Sequence, residues 1–275
     1  MDESGTTGSA TPAAATDPNV VVRLAGVSKH YGELRALSEL DMDVRRGEVV
    51  GLLGPNGAGK TTTVRMLCGL MPSTAGSIHI GEHDVAQDPL EAKRLIGFVP
   101  DGAPLYPNLT PRQHLELVGR LHGIDEARLK RDLEHLMSSL GLSDRIDDPV
   151  GQFSRGMRQK TALACAILPQ PTLLVLDEPL SGLDAPTAAM FKQVFRSWAD
   201  RGGAVLYTSH LLDVVERVCD RMAILAEGKL AAIGTMDELR QRAGQDGTLE
   251  QVFGTLAKTE APEDMAAALL AGLDA

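Results

Sequence analysis

Gly54, Pro55, Asn56, Gly57, Ala58, Gly59, Lys60 and Thr61 keep the spacing G-x-x-x-x-G-K-[ST] in full, and Thr62 extends the run. Glycine at this density lets a backbone curl until successive N–H groups point at one centre, where phosphate oxygens are the natural guests. Lys60 adds a charge that reaches the β- and γ-phosphates, and the Thr61 hydroxyl is a ligand for Mg²⁺. An apolar run precedes this loop and a helical pattern follows it, so a helix N-terminus adds its positive end to the same point. A glycine-rich turn with no ligand would not need that context. The second acidic element is Leu173 to Leu176 followed by Asp177 and Glu178. A buried strand that ends in carboxylates delivers them to the edge of an open α/β sheet, beside the phosphates. Asp177 is expected in the Mg²⁺ shell, directly or through water, and Glu178 as the general base that polarises the attacking water.

Further chemistry-bearing residues lie between and beyond these two elements. Phe153-Ser154-Arg155-Gly156-Met157 opens a helical pattern. A serine two residues before a bare glycine at a helix start offers a hydroxyl, N–H groups and a dipole to one anion; the plainer reading is a helix cap. His210 follows the apolar run Ala204 to Thr208 and emerges at the same sheet edge.

The elements that must position these groups are legible from periodicity. Strands are expected at Val21 to Leu24, Leu37 to Val44, Glu48 to Leu53, Thr172 to Leu176, Ala204 to Thr208 and Arg221 to Leu225, and a helix at Lys60 to Cys68. Leu115, Val118 and Leu121 share one helical face, and Leu129, Leu133, Leu136 and Leu140 form a second stripe, so residues from about 110 to 168 read as helices alone. The fold class is therefore α/β: a core with a mixed sheet, an antiparallel β portion near the N-terminus and an inserted helical subdomain at about 102–168. The chain divides into a disordered Ser/Thr/Ala/Pro tail over 1–19, a core over 20–242, and an extension over 243–275 with a short helix around Leu249 to Leu256 and an Ala/Leu-rich end.

Composition narrows the function. The chain has 275 residues, 43% of them hydrophobic, a net charge of −10 and a pI near 5.2. That balance lacks the basic face nucleic-acid binding needs. Cys68, Cys165 and Cys219 are widely spaced and odd in number, which fits buried reduced thiols rather than disulfides or a zinc site. The N-terminus starts with acids and has no apolar block, so no signal peptide is expected, and no stretch approaches the ~18 apolar residues of a membrane span.

Taken in order, the phosphate loop, IGFVPD, FSRGM, LLVLDEP, SGLD and YTSH resemble the nucleotide-binding domain of ATP-binding-cassette (ABC) proteins across about Val21 to Arg240. The resemblance implies an ATPase that uses ATP and Mg²⁺. It places Tyr31 where the family stacks an aromatic on adenine. FSRGM resembles the family's signature, in which Ser154 and Gly156 reach the ATP held by a second cassette; Phe153, Arg155 and Met157 depart from the usual pattern. SGLD, Ser181 to Asp184, resembles the loop that couples the two cassettes, and His210 the histidine that senses the γ-phosphate. Asp101 stands where the family usually has glutamine and is expected at the Mg²⁺ site with Thr61 and Asp177, at the cost of added negative charge. The implied partners are a membrane permease subunit and a second cassette, in a homo- or heterodimer, with no nucleic acid. The implied place is cytoplasmic, on the inner face of the cell membrane through the permease. The signature variant resembles cassettes paired with separately encoded exporter permeases. The rival readings are a soluble ABC-type ATPase and a regulatory cassette that binds ATP without turning it over.

Overall fold

A computed structural model of the chain describes residues 17–210 and 212–257. The expected N-terminal tail up to residue 16 and the Ala/Leu-rich end lie outside them. The first unit is antiparallel: β1 (Val20–Tyr31), β2 (Leu34–Arg45), β4 (Ala75–Ile80) and β5 (His83–Asp84) lie in the order β2-β1-β4-β5. The second is a six-stranded sheet of β3 (Val49–Leu53), β6 (Ile96–Val99), β7 (Leu173–Asp177), β8 (Ala204–Thr208), β9 (Arg221–Ala226) and β10 (Lys229–Gly234), in the order β10-β9-β3-β8-β7-β6. Its pairs are parallel except β9 with β10. The α/β class with an antiparallel N-terminal sheet is thus the observed one.

β3, β7 and β8 are buried along their whole length, which is why they read as continuous apolar runs. Their side chains alternate between two cores. Val50, Leu52, Leu173, Val175 and Leu206 meet the antiparallel sheet and helix α1 (Lys60–Leu67) through Val64, Met66 and Leu67. Val49, Leu53, Leu174, Leu176 and Tyr207 meet the other layer. There Phe191 and Phe195 of α6 (Ala185–Asp200), Leu239 of α8 (Met236–Ala243) and Val252 of α9 (Leu249–Ala257) pack against them.

The helical portion holds α3 (Pro111–Leu121), α4 (Glu126–Ser139) and α5 (Arg155–Ile167), with two short 3-10 turns between α4 and α5. Leu115, Leu129, Leu133 and Met137 form a third core with Ala164 and Leu168 of α5 and the turn after it. α5 belongs to two cores at once, because Ala162, Leu163 and Ala166 face the six-stranded sheet. Thr110 and Gln113 form a capping box at α3, and Asp125 caps α4. No helix among the described residues is long and apolar enough to cross a membrane.

Several elements differ from the expected pattern. β1 is 12 residues long where the four-residue stretch Val21 to Leu24 had marked it, and its register with β2 shifts at four places, which erases simple alternation. α2 (Pro89–Arg94) and β6 are too short to carry a period, and α7 (Leu212–Val218) precedes β9 as a short turn of helix.

Candidate functional site

The site gathers at the C-terminal ends of three adjacent parallel strands. β3 ends in the glycine loop, β7 in Asp177 and Glu178, and β8 in Thr208 with His210 two residues on. Asn56 to Thr62, Asp101, Asp177, Glu178 and His210 line one cleft of about 580 Å³, joined by Ala36 and Ser181. Gly54 and Pro55 hold the loop from behind. Lys60 Nζ donates to the Gly54 carbonyl at 2.6 Å and to that of Pro55 at 3.2 Å. Gly59 has a φ of +106°, and a Cβ there would lie 3.0 Å from the Ala36 carbonyl oxygen, so only glycine lets the loop turn into α1. Burial draws the Lys60 pKa down, while Glu178 and Asp177 push it back up.

Asp177 is buried, and its Oδ1 accepts from Thr208 Oγ1 at 2.5 Å. Glu178 has a left-handed backbone with φ +49°, unusual for a residue with a side chain. Its N–H is held by both the Thr208 carbonyl at 3.2 Å and the Thr208 hydroxyl at 3.1 Å, which fixes the turn. That turn presents Glu178 Oε2 to His210 Nδ1 at 2.7 Å. Burial pushes the Glu178 carboxyl above the usual glutamate range; His210 and Lys60 pull it partly back. The arrangement sets a glycine loop and the Lys60 ammonium opposite a buried carboxylate and a carboxylate–imidazole pair.

Besides Gly54 and Pro55, three expected site residues stand outside the cleft. Tyr31, at the end of β1, is exposed, with its hydroxyl 3.4 Å from Met71 Sδ and Lys29 Nζ 5.2 Å from its ring centroid. Ser154 and Gly156 lie at the start of α5; Ser154 Oγ caps that helix by accepting from the Met157 N–H at 3.3 Å. A larger cavity, about 660 Å³, opens between α4 and the end of α6, and none of the motif residues lines it.

The profile of the family described as "ABC transporter" matches residues 37–181, just over half the chain. The chain belongs to the ABC transporter family. It is 34% identical over 230 residues to the linearmycin resistance ATP-binding protein LnrL of Bacillus subtilis (strain 168), covering 84% of this chain and 74% of that one. It is 34% identical over 254 residues to the daunorubicin/doxorubicin resistance ATP-binding protein DrrA of Streptomyces peucetius, covering 92% and 77%. A solved structure described as the ATP binding subunit of an ABC transporter aligns with a TM-score of 0.82 at 33% identity, covering 86% of this chain and 99% of that one. This ABC protein is an ATP-hydrolysing, transport-coupled subunit.

Two residues of the ABC site were not legible as site residues. Thr208 ends an apolar strand, and only the parallel pairing of Asp177 with Thr208 reveals its role. Ser181 was visible as part of SGLD, but its place in the cleft depends on the turn that Glu178 makes.

Proposed function

We propose that this subunit binds ATP·Mg²⁺ in the cleft between the glycine loop and Glu178, hydrolyses it to ADP and phosphate, and drives export through a separate membrane permease. The observation that carries the reading is the Glu178–His210 pair, 2.7 Å apart, set across one cleft from Lys60 and Thr61. The loop N–H groups and the Lys60 ammonium take the phosphates, the lysine exchanging its own loop carbonyls for phosphate oxygens. The Glu178 carboxylate accepts a proton from the attacking water. The His210 ring orients that carboxylate and meets the γ-phosphate. Tyr31 takes the adenine by turning from Lys29.

The donor set fits a hard cation. Thr61 offers a hydroxyl and Asp177 a carboxylate, both oxygen donors on one cleft, while Asp101 stands at the rim. No group of three or more His, Cys, Asp or Glu among the described residues could hold a metal by itself. That suits Mg²⁺, which takes one or two protein donors and completes its shell from phosphate and water. When bound, it draws off the charge that builds on the phosphate oxygens.

Ser154 and Gly156 do not reach the cleft of their own chain, so the site is completed by a second cassette that brings its signature helix to the ATP. Relatives named as ATP-binding proteins of drug resistance support work at the inner face of the membrane through a separate permease. Efflux is what ATP-driven resistance requires of such a subunit.

The test pairs two variants. Glu178→Gln keeps the shape but cannot take a proton, so ATP binding should persist while turnover falls ~10²–10⁴-fold. Lys60→Ala should lose tight ATP binding in a protein that still folds. Wild-type turnover in the first or unchanged affinity in the second overturns the assignment.

A further inference from the structure

Asp101 follows β6 at the rim of the cleft, and Arg155 opens α5. The Arg155 guanidinium stands 3.7 Å from Asp101 Oδ1. The same side chain lies over the loop that follows Glu178: a Cβ on Gly182 would be 3.2 Å from Arg155 Cδ and Nε. One arginine thus touches three segments, namely the first turn of α5, the segment after β6 and the SGLD loop.

Each member of this pair is unfavourable where it stands alone. A cation in the first turn of a helix faces the positive end of the helix dipole. Asp101 is a third carboxylate in a cleft that already holds Asp177 and Glu178 and is shaped for a polyphosphate. Side by side, the two cancel. Both are charged departures from the family's usual pattern, and the fold brings those two departures together.

We propose that Arg155 is the positioning residue for Asp101: it holds the carboxylate against the start of α5, away from the phosphates, and balances its charge. The proposal rests on the reading of this cleft as the ATP site. Both side chains are well exposed, at 41% and 62%, so the pair adds little to fold stability. Its effect falls on the nucleotide instead, and Arg155 acts through Asp101 rather than by touching ATP of its own cleft.

The experiment measures the affinity of the full chain for a fluorescent ATP analogue in EDTA, with no metal present. Wild type, Arg155→Gln, Arg155→Lys, Asp101→Asn and the Arg155→Gln/Asp101→Asn double variant are compared. Arg155→Gln should weaken binding about tenfold, the size of one partly screened unit charge released toward the phosphates. The same change on the Asp101→Asn background should alter binding less than about twofold, and Arg155→Lys should stay near wild type. Thermal midpoints should agree across the set. An equal loss on both backgrounds, or no loss on either, overturns the proposal while leaving the ATP site intact. A wild-type chain that fails to bind the analogue overturns the reading beneath it.

Discussion

At the scale of single residues, the site depends on one hydroxyl inside YTSH to which the motif reading gave no role. Thr208 donates to Asp177 and accepts from the Glu178 N–H, so it fixes the carboxylate and the strained turn together. Bonds to a charged group are worth about 1.5–3 kcal/mol, which converts to roughly tenfold or more in rate if the geometry is lost only at the chemical step. Thr208→Val keeps the shape and removes the hydroxyl. It should lower turnover about tenfold with ATP affinity little changed; a kinetic titration that shows full turnover would remove Thr208 from the site. The cysteines make a second residue-level prediction. Cys68 is buried and Cys165 and Cys219 are half-buried; desolvation pushes the Cys68 and Cys165 thiols up to about 12, and Cys219 higher still. At pH 8 the thiolate fraction of the first two is on the order of 10⁻⁴, so iodoacetamide should label the native protein far more slowly than the urea-unfolded chain. Equal rates in the two states would contradict that burial. Lys60, Thr61, Asp177, Glu178 and His210 were legible as chemistry because each sits at a fixed offset from an apolar run. Thr208 was not, because its role comes from a cross-strand register that one sequence does not display.

At the scale of elements, legibility followed length and period. β3, β7 and β8 are short, wholly buried and bounded by turns, and their expected spans differ from the observed ones by a residue or so. The leucine stripes of α3 and α4 likewise marked a helical region that the structure contains. β6 escaped notice because Ile96 to Val99 holds a glycine among four residues. That glycine has a structural reason. A Cβ on Gly97 would lie 2.3 Å from the Ala166 carbonyl oxygen and 2.8 Å from Pro171 Cγ, so α5 rests directly on the backbone of β6. Backbone cannot move aside as a flexible side chain can. Gly97→Ala should push α5 off the sheet, with an overpacking cost of typically 1–3 kcal/mol. A thermal midpoint several degrees below wild type is the expected result, accompanied by weaker ATP-driven association, because α5 carries Ser154 and Gly156 at its other end. An unshifted midpoint would show that the contact relaxes freely. A second anchor lies at the opposite end of the strands. Arg221 pairs with Glu48 at 3.0 Å and Asp43 at 3.3 Å, while Asp220 accepts from the Val49 N–H at 2.8 Å. These bonds fasten the N-terminal ends of β3 and β9, opposite the end that does chemistry.

At the scale of the whole molecule, the proposed function makes the site half of something larger. The cleft holds the glycine loop and the side chains proposed as metal donors and base, whereas Ser154 and Gly156 lie at the start of α5 outside it. Each chain carries a net charge of −10, so two chains repel over several ångströms before any contact forms. Something must offset that repulsion for the cassettes to close. On the proposed reading, ATP with Mg²⁺ would do so by placing phosphates between the loop of one chain and the N-terminus of α5 of the other, where N–H groups and the helix dipole attract them. Hydrolysis would then remove the bond between the halves, and the two would open. The prediction is an association that follows the nucleotide. Without ATP, sedimentation equilibrium should give the mass of one chain, 29.3 kDa. The Glu178→Gln variant, which keeps ATP uncleaved, should run at about twice that mass in ATP·Mg²⁺ and return to one chain when ADP replaces it. Adding Ser154→Arg to that variant should abolish the association while leaving ATP bound, because the new side chain fills the space meant for the opposite phosphate. A dimer equally tight with and without nucleotide would mean that another surface joins the chains, and the role of α5 as the second wall of the ATP site would fall with it.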